Sequence, residues 1–383
     1  MLFFTIFIVL LISSLLEVGS KGSFKKSFYL LFFIIGLLTV FRFGVGTDFF
    51  SYLWLYDITP EITDWENFIS VAEREHGELG FYIVNGIFQS FGVSYEAYVF
   101  TLSLIMMALI FVFIMKNSHF KILSLFIFYC MFYFTYINSA QRQGLAVLIF
   151  VGILFPLLCQ GKFIKFSIGA VVTSLFHISG LILLTTVISN KLGKMLIVLL
   201  AFFFFILNFI LTMILNREFF LSITGIDVNY EVGGVSLMGL LSRTTMLIII
   251  TILMRSNSDV DNNIKKIYKM YLVGFSIYLF FVSSDLIASR LNIYFQMLDI
   301  VLVSNLLFNL ETKKRILYSL AIICLIMPLF YWNQVSGQLA QGRYFNSNSI
   351  LDYPYVSVFN QYRILDYRPV PFHIRNTLGW MAD

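Results

Sequence analysis

Charge is scarce in this chain. Only 12% of its 383 residues are Asp, Glu, Lys or Arg, whereas a soluble domain carries about 25%. That shortage excludes an ordinary water-soluble fold of this length. Cysteine is scarce as well. The three present (Cys130, Cys159 and Cys324) all fall inside apolar runs, so they read as small buried hydrophobes and not as a disulfide framework. The four histidines are scattered without zinc-ligand spacing. There is no Walker A sequence, so ATP is not expected as the energy source. No nucleic-acid module, internal repeat or low-complexity tract is visible, and no cofactor is expected.

What the chain has in excess is apolar length. Hydrophobic residues make up 59% of it, and the mean hydropathy is +0.86. Apolar runs near 20 residues satisfy their backbone in lipid only as helices. The expected fold class is therefore all-α: a polytopic transmembrane helical bundle of about ten spans. They are read at 2–18, 28–43, 96–115, 121–137, 143–159, 195–215, 237–254, 267–283, 286–308 and 316–333. The N-terminal run lacks the basic region of a cleavable signal and reads as a retained first span. Residues 80–92 are too short to cross.

Residues 166–188 are long enough to span but are interrupted at His177, Ser179 and Gly180. The positive-inside rule decides between the two readings. If this segment is a re-entrant helical hairpin, all six basic clusters between spans, and with them all fourteen lysines, lie in the cytoplasm. Both chain ends then lie outside. So do residues 44–95, a non-cytoplasmic loop with short helices, and the polar, aromatic tail 334–383, expected to pack irregularly on the membrane domain 1–333.

Arginine follows a different distribution. Ten of twelve (all but Arg255 and Arg315) fall outside or at outer span ends, where they oppose the topology signal. Arginine suits bidentate binding of phosphate and carboxylate, so an anionic substrate outside is expected. Four constellations carry the candidates. Arg42, Asp48 and Tyr52 lie in RFGVGTDFFSY, where Gly44 and Gly46 permit a tight turn. Trp54, Tyr56 and Trp65, nearby, could stack on sugars or form an interfacial belt. Arg142 and Gln143 open the fifth span, where an arginine opposes the helix dipole unless an anion is bound. His177 is an ionisable group within the membrane. Asp285, Arg290 and Tyr294, with Arg243, lie near the outer mouth. The acids of the 44–95 loop, from Asp57 to Glu78, read mostly as solvated surface.

The pieces FRFGVGTDFFSYLWLYD, INSAQRQGLAVLIF, SLFHISGLILL, ASRLNIYFQMLDIVL and YPYVSVFN, taken in this order, resemble the EpsG/Wzy-type family of polysaccharide polymerases over nearly the whole chain. The resemblance implies a bacterial plasma-membrane glycosyltransferase. It would join undecaprenyl-pyrophosphate-linked repeat units into O-antigen, capsule or exopolysaccharide at the periplasmic or extracellular face. Implied partners are a flippase and a chain-length regulator. Arg42, Arg142, Gln143, Arg243, Arg290, Tyr52 and Tyr294 would bind pyrophosphate and glycan without a metal. Asp48, or else His177, would be the general base. Lysine at Arg42, Arg142 or Arg290 is expected to abolish polymerisation at unchanged protein level. A polysaccharide ligase, which shares the chemistry, and a lipid-linked oligosaccharide flippase are the rival readings.

Overall fold

The structure, a computed structural model, describes residues 1–75, 77–189, 192–214, 236–257, 260–331 and 355–380. Every regular element among them is helical. In chain order the first five are α1 (Leu2–Ser20), α2 (Lys25–Val40), α3 (Phe49–Ile58), α4 (Trp65–Arg74) and α5 (Leu79–Ser90). Next come α6 (Tyr95–Asn117), α7 (Lys121–Ser139), α8 (Gln141–Cys159) and α9 (Phe163–Ser174). A 3-10 turn over Ile178–Leu184 runs into the short α10 (Thr185–Ser189). After it come α11 (Lys194–Ile214), α12 (Leu237–Ser256), α13 (Asn262–Phe280), α14 (Asp285–Gln296), α15 (Asp299–Phe308), α16 (Thr312–Tyr331) and α17 (Phe372–Thr377).

Five of these, α1, α6, α7, α8 and α12, are long and apolar enough to cross a bilayer, and α14 with α15 makes a sixth if that pair, bent by 42°, is one span. The expectation of about ten is not reached among the described residues, for physical reasons. With 16 residues, α2 is only about 24 Å long against a hydrocarbon core of about 30 Å. The qualifying apolar stretch of α11 is Met195–Asn208. Lys265, Lys266 and Lys269 lie within the first turns of α13. The expected spans 195–215 and 316–333, and much of the tail from 334, extend outside the described residues.

The core is aromatic and aliphatic, centred on α7 and α15, whose side chains are almost all buried, with the greater part of α8. The second half of α7, Tyr129–Ser139, is wound as a π-helix, as is Phe150–Leu154 within α8. The wider turn lets two glycines approach the backbone. A Cβ on Gly144 would lie 1.7 Å from the carbonyl oxygen of Tyr136, and one on Gly46 would lie 2.0 Å from that of Asn138. No larger residue fits at either place.

Opposite ends of the bundle differ in chemistry. At one end lie the C-termini of α1, α6 and α15 and the N-termini of α7, α13 and α16, several of them bearing lysine. Asn305 joins α15 to the α6–α7 turn through His119 N–H (2.9 Å) and the Asn117 carbonyl (2.7 Å). The Arg315 guanidinium donates to the α1 carbonyls of Val18 (2.7 Å) and Gly19 (3.2 Å), which suits a cation at a helix C-terminus. The buried Glu17 carboxylate accepts the first N–H groups of α7, from Lys121 (2.9 Å), Ile122 (2.9 Å) and Leu123 (3.0 Å). Glu17→Ala leaves these donors without their acceptor in a buried place, so a loss of about 1–3 kcal/mol is expected. Thermal unfolding of the detergent-purified variant checks it, and an unchanged midpoint would count against the capping role.

Between α8 and α11 lie α9, which ends at Ser174, and the 3-10 turn that His177 caps. The 3-10 turn then folds back so closely that a Cβ on Gly180 would meet Ser174 N at 3.1 Å. α11 restarts at the lysine end, where Met195 and Val198 share a cavity with Arg255 and Lys265. At the far end, tail residues 355–380 dock on the chain after α2. Phe43 N–H donates to the Val356 carbonyl (2.8 Å), and Val358 N–H donates to that of Phe41 (3.0 Å).

Candidate functional site

The site lies at the end of the bundle away from the lysines and begins with the turn between α2 and α3. Gly44 and Gly46 have positive φ, 65° and 102°. Arg368 from the tail holds this turn, donating to the carbonyls of Gly44 (3.1 Å), Gly46 (2.7 Å) and Thr47 (3.2 Å) and resting on the Phe50 ring (4.9 Å). The turn delivers Asp48, whose carboxylate accepts from Thr47 Oγ1 (2.9 Å), and, one helical turn later, the buried Tyr52.

A second approach brings in a residue that sequence reasoning missed. Gly80 at the start of α5 sits against the end of α9, its N–H donating to the Leu175 carbonyl (2.8 Å). A Cβ there would lie 2.8 Å from the same oxygen. This contact holds Glu78, just ahead of α5, beside His177. Glu78 Oε2 accepts from Arg142 Nη1 at 2.5 Å, and Glu78 Oε1 lies 4.0 Å from His177 Nε2. Glu78 is thus no solvated loop acid: its side chain is 18% exposed. Its one sequence signal is its place two residues before Gly80. Gly80→Val is expected to push α5 off the end of α9 and to lower the unfolding midpoint of the detergent-purified protein. An unchanged midpoint would argue against the contact.

The Arg142 guanidinium, at the start of α8, also lies 5.9 Å from the ring centroids of both Tyr52 and Phe81. Burial pushes the nearby Tyr82 phenol up to about 12 despite Arg142, keeping it a neutral donor. His177 is held from its other side. Nδ1 lies 2.6 Å from Ser179 Oγ and receives the Ser179 N–H at 3.3 Å, and Ser179 Oγ lies 3.0 Å from the buried Tyr294 hydroxyl. With Nδ1 accepting, the neutral ring carries its proton on Nε2, facing Glu78. Gln143 donates to the Arg290 carbonyl (2.8 Å), joining α8 to α14. Arg290 is close enough for its charge to act on His177 and on Tyr136.

Arg243 lies in an adjoining cavity of about 210 Å³ lined by Tyr136, Ser236, Ser242, Asp285, Ser289 and Gln296, among others. It donates to Ser289 Oγ (3.0 Å), lies 3.9 Å from Asp285 Oδ1 and rests 4.1 Å above the Tyr278 ring. The charges of both Arg243 and Arg290 reach Tyr136, which links this cavity to the Glu78 centre.

The structure therefore brings Asp48, Tyr52, Arg142, Gln143, His177, Arg290 and Tyr294 into one neighbourhood, with Arg243 next to it. It does not bring in Arg42. That side chain is 2% exposed and donates to the Thr39 carbonyl (2.7 Å), Ser103 Oγ (2.6 Å) and the Ile137 carbonyl (3.1 Å). It ties α2 to α6 and α7 beneath the site. Trp54 lines a cavity of about 590 Å³ between α3 and the tail, together with Ser51, Arg368 and His373.

No curated protein and no solved structure matches the chain. A family model does, over residues 25–353. That stretch takes in every residue of the Glu78 centre and the Arg243 cavity, and the chain belongs to the EpsG family, a family of Wzy-type polysaccharide polymerases.

Proposed function

We propose that this protein joins oligosaccharide repeat units carried on undecaprenyl pyrophosphate, at the outer face of a bacterial plasma membrane. The observation that carries the reading is the Glu78 carboxylate, gripped by Arg142 on one oxygen and separated from His177 Nε2 by 4.0 Å on the other. That gap fits an acceptor hydroxyl, which would donate its proton to Glu78 Oε1 while accepting from Nε2–H.

The orientation comes from charge. With the lysine end in the cytoplasm, the site opens outward. The α9 hairpin then enters and leaves from the cytoplasmic side. Counting α2, α11, α13 and α16 alongside the six long or bent spans makes ten crossings. Hairpin backbone at membrane depth is tolerated only against protein or a wet cavity, which agrees with its contacts to α5 and α14.

The reaction moves one glycosyl group. The acceptor hydroxyl oxygen attacks the anomeric carbon of the growing chain, and the bond from that carbon to the lipid diphosphate breaks. The electron pair leaves with the diphosphate, and the hydroxyl proton passes to Glu78. Arg243 and Arg290 stabilise the charge that develops on the departing oxygens. Tyr52 and Tyr294 orient the sugar, Gln143 holds α14 to α8, and Asp48 with Thr47 fixes the start of the helix that carries Tyr52. A flippase would supply the units, and a chain-length regulator would act on the product.

The glycan ladder of a deletion strain tests the proposal. Single repeat units without long chains are expected, restored by the wild-type gene. Units trapped on the cytoplasmic side would favour the flippase reading. Normal chains that fail to reach their final acceptor would favour the ligase.

A further inference from the structure

The two arginine centres have different surroundings. Around Glu78 the groups are charged and hydroxylic. Next to Arg243 in α12, Thr244 and, one turn on, Leu247 line an apolar trough of about 350 Å³ between α11, α12 and α13. Its other walls include Ala201, Phe202 and Phe205 of α11, with Phe275 and Leu279 of α13. The polar cavity and the trough share a partition. Tyr278, beneath the Arg243 guanidinium, is flanked by these α13 residues, and Phe205 and Leu240 pack on its cluster. The trough also opens on the outside of the bundle, where Phe202 is 64% exposed and Val198 is 53% exposed. In a membrane that surface meets hydrocarbon.

A site with a greasy channel on one side of a guanidinium and hydroxyls on the other suits an amphiphile with an anionic head. The Nε of Arg243 is buried without a hydrogen-bond acceptor among the described residues. Asp285 opposes an anion here: its Oδ1 is buried 3.9 Å from Arg243, although the side chain as a whole is 44% exposed. We infer that the trough between α11, α12 and α13 seats isoprene units of a polyprenyl diphosphate, whose chain passes around the Tyr278 partition from a diphosphate held on Arg243 and the Ser236, Ser242 and Ser289 hydroxyls. The donor lipid thus enters sideways from the bilayer and the acceptor lies at Glu78, with Tyr136 and Arg290 between them. This assignment rests on the polymerase reading only in taking the substrate to be lipid-linked.

The test uses the full-length protein in lipid nanodiscs and fluorescent undecaprenyl diphosphate as the probe. Ala201→Phe, which fills the trough, should weaken lipid binding at least tenfold while inorganic diphosphate competes as it does in wild type. Arg243→Gln should weaken binding of both. An undecaprenyl diphosphate carrying a diazirine in its isoprene units should label wild-type peptides from α11 and α13, a readout independent of how well the variant folds. Labelling confined to other helices, or lipid binding by Ala201→Phe within twofold of wild type, overturns the inference. If the label enters the trough while the deletion strain makes normal chains, the polymerase reading falls and the lipid site stands.

Discussion

Glu78→Gln should reduce polymerisation by about 10²–10⁴-fold, the usual contribution of a positioned general base, which is about 3–5 kcal/mol of barrier. The substitution keeps the volume and leaves an amide oxygen for Arg142, so the fold should survive. It removes the carboxylate oxygen that faces His177 Nε2 across 4.0 Å. His177→Gln retains Glu78 and should cost less, since in this arrangement the imidazole positions the hydroxyl and does not take its proton. Asp48→Asn separates this mechanism from the one expected from sequence. Asp48 accepts from Thr47 at the start of the helix that carries Tyr52, so its loss should alter substrate affinity more than turnover. Purified protein in proteoliposomes with a lipid-linked repeat unit gives the rates. Should Glu78→Gln polymerise normally while Asp48→Asn is dead, the base has been misplaced.

Much of this arrangement is legible in the sequence, because topology and residue type are both encoded locally. Lysine confined to one set of loops and arginine at the opposite helix ends already separates the two ends of the bundle. The interruption at His177, Ser179 and Gly180 falls where the helix Phe163–Ser174 ends and the 3-10 turn Ile178–Leu184 begins. Seven of the nine expected site residues share one neighbourhood because the helix ends that carry them share one end of the bundle. Glu78 was not legible. It is one of several acids in a polar loop, and what distinguishes it is a long-range contact, Gly80 against Leu175. Spacing says nothing about such a contact. Glu17 was hidden in the same way, since its partners are 104 to 106 residues away. The span count was read less well. Composition marks apolar runs, whereas helix ends are set by where neighbours and turns stop them, as in the 16-residue α2.

Arg42 and Arg142, both expected from sequence to bind substrate, should respond oppositely to replacement. Arg42 and Arg142 both sit at outer helix ends beside glycine, and lysine at either was expected to silence the enzyme without loss of protein. The structure separates them by what their guanidiniums touch. Arg142 is partly exposed and spans Glu78, Tyr52 and Phe81. Arg142→Lys should keep the protein folded but lose the planar guanidinium that holds Glu78 Oε2 while facing the Tyr52 and Phe81 rings, an arrangement a compact ammonium does not reproduce. Arg42 is sealed against Thr39, Ser103 and Ile137. Arg42→Met strands two backbone carbonyls and a hydroxyl in the interior, each at a cost of about 1–3 kcal/mol, partly offset by no longer burying a charge. The expected result is a lower unfolding temperature and much less protein in the membrane, with the surviving fraction still making polymer. A well-folded, fully expressed Arg42→Met protein with no polymerising activity would instead mean that this guanidinium reaches substrate through a rearrangement of α2, α6 and α7.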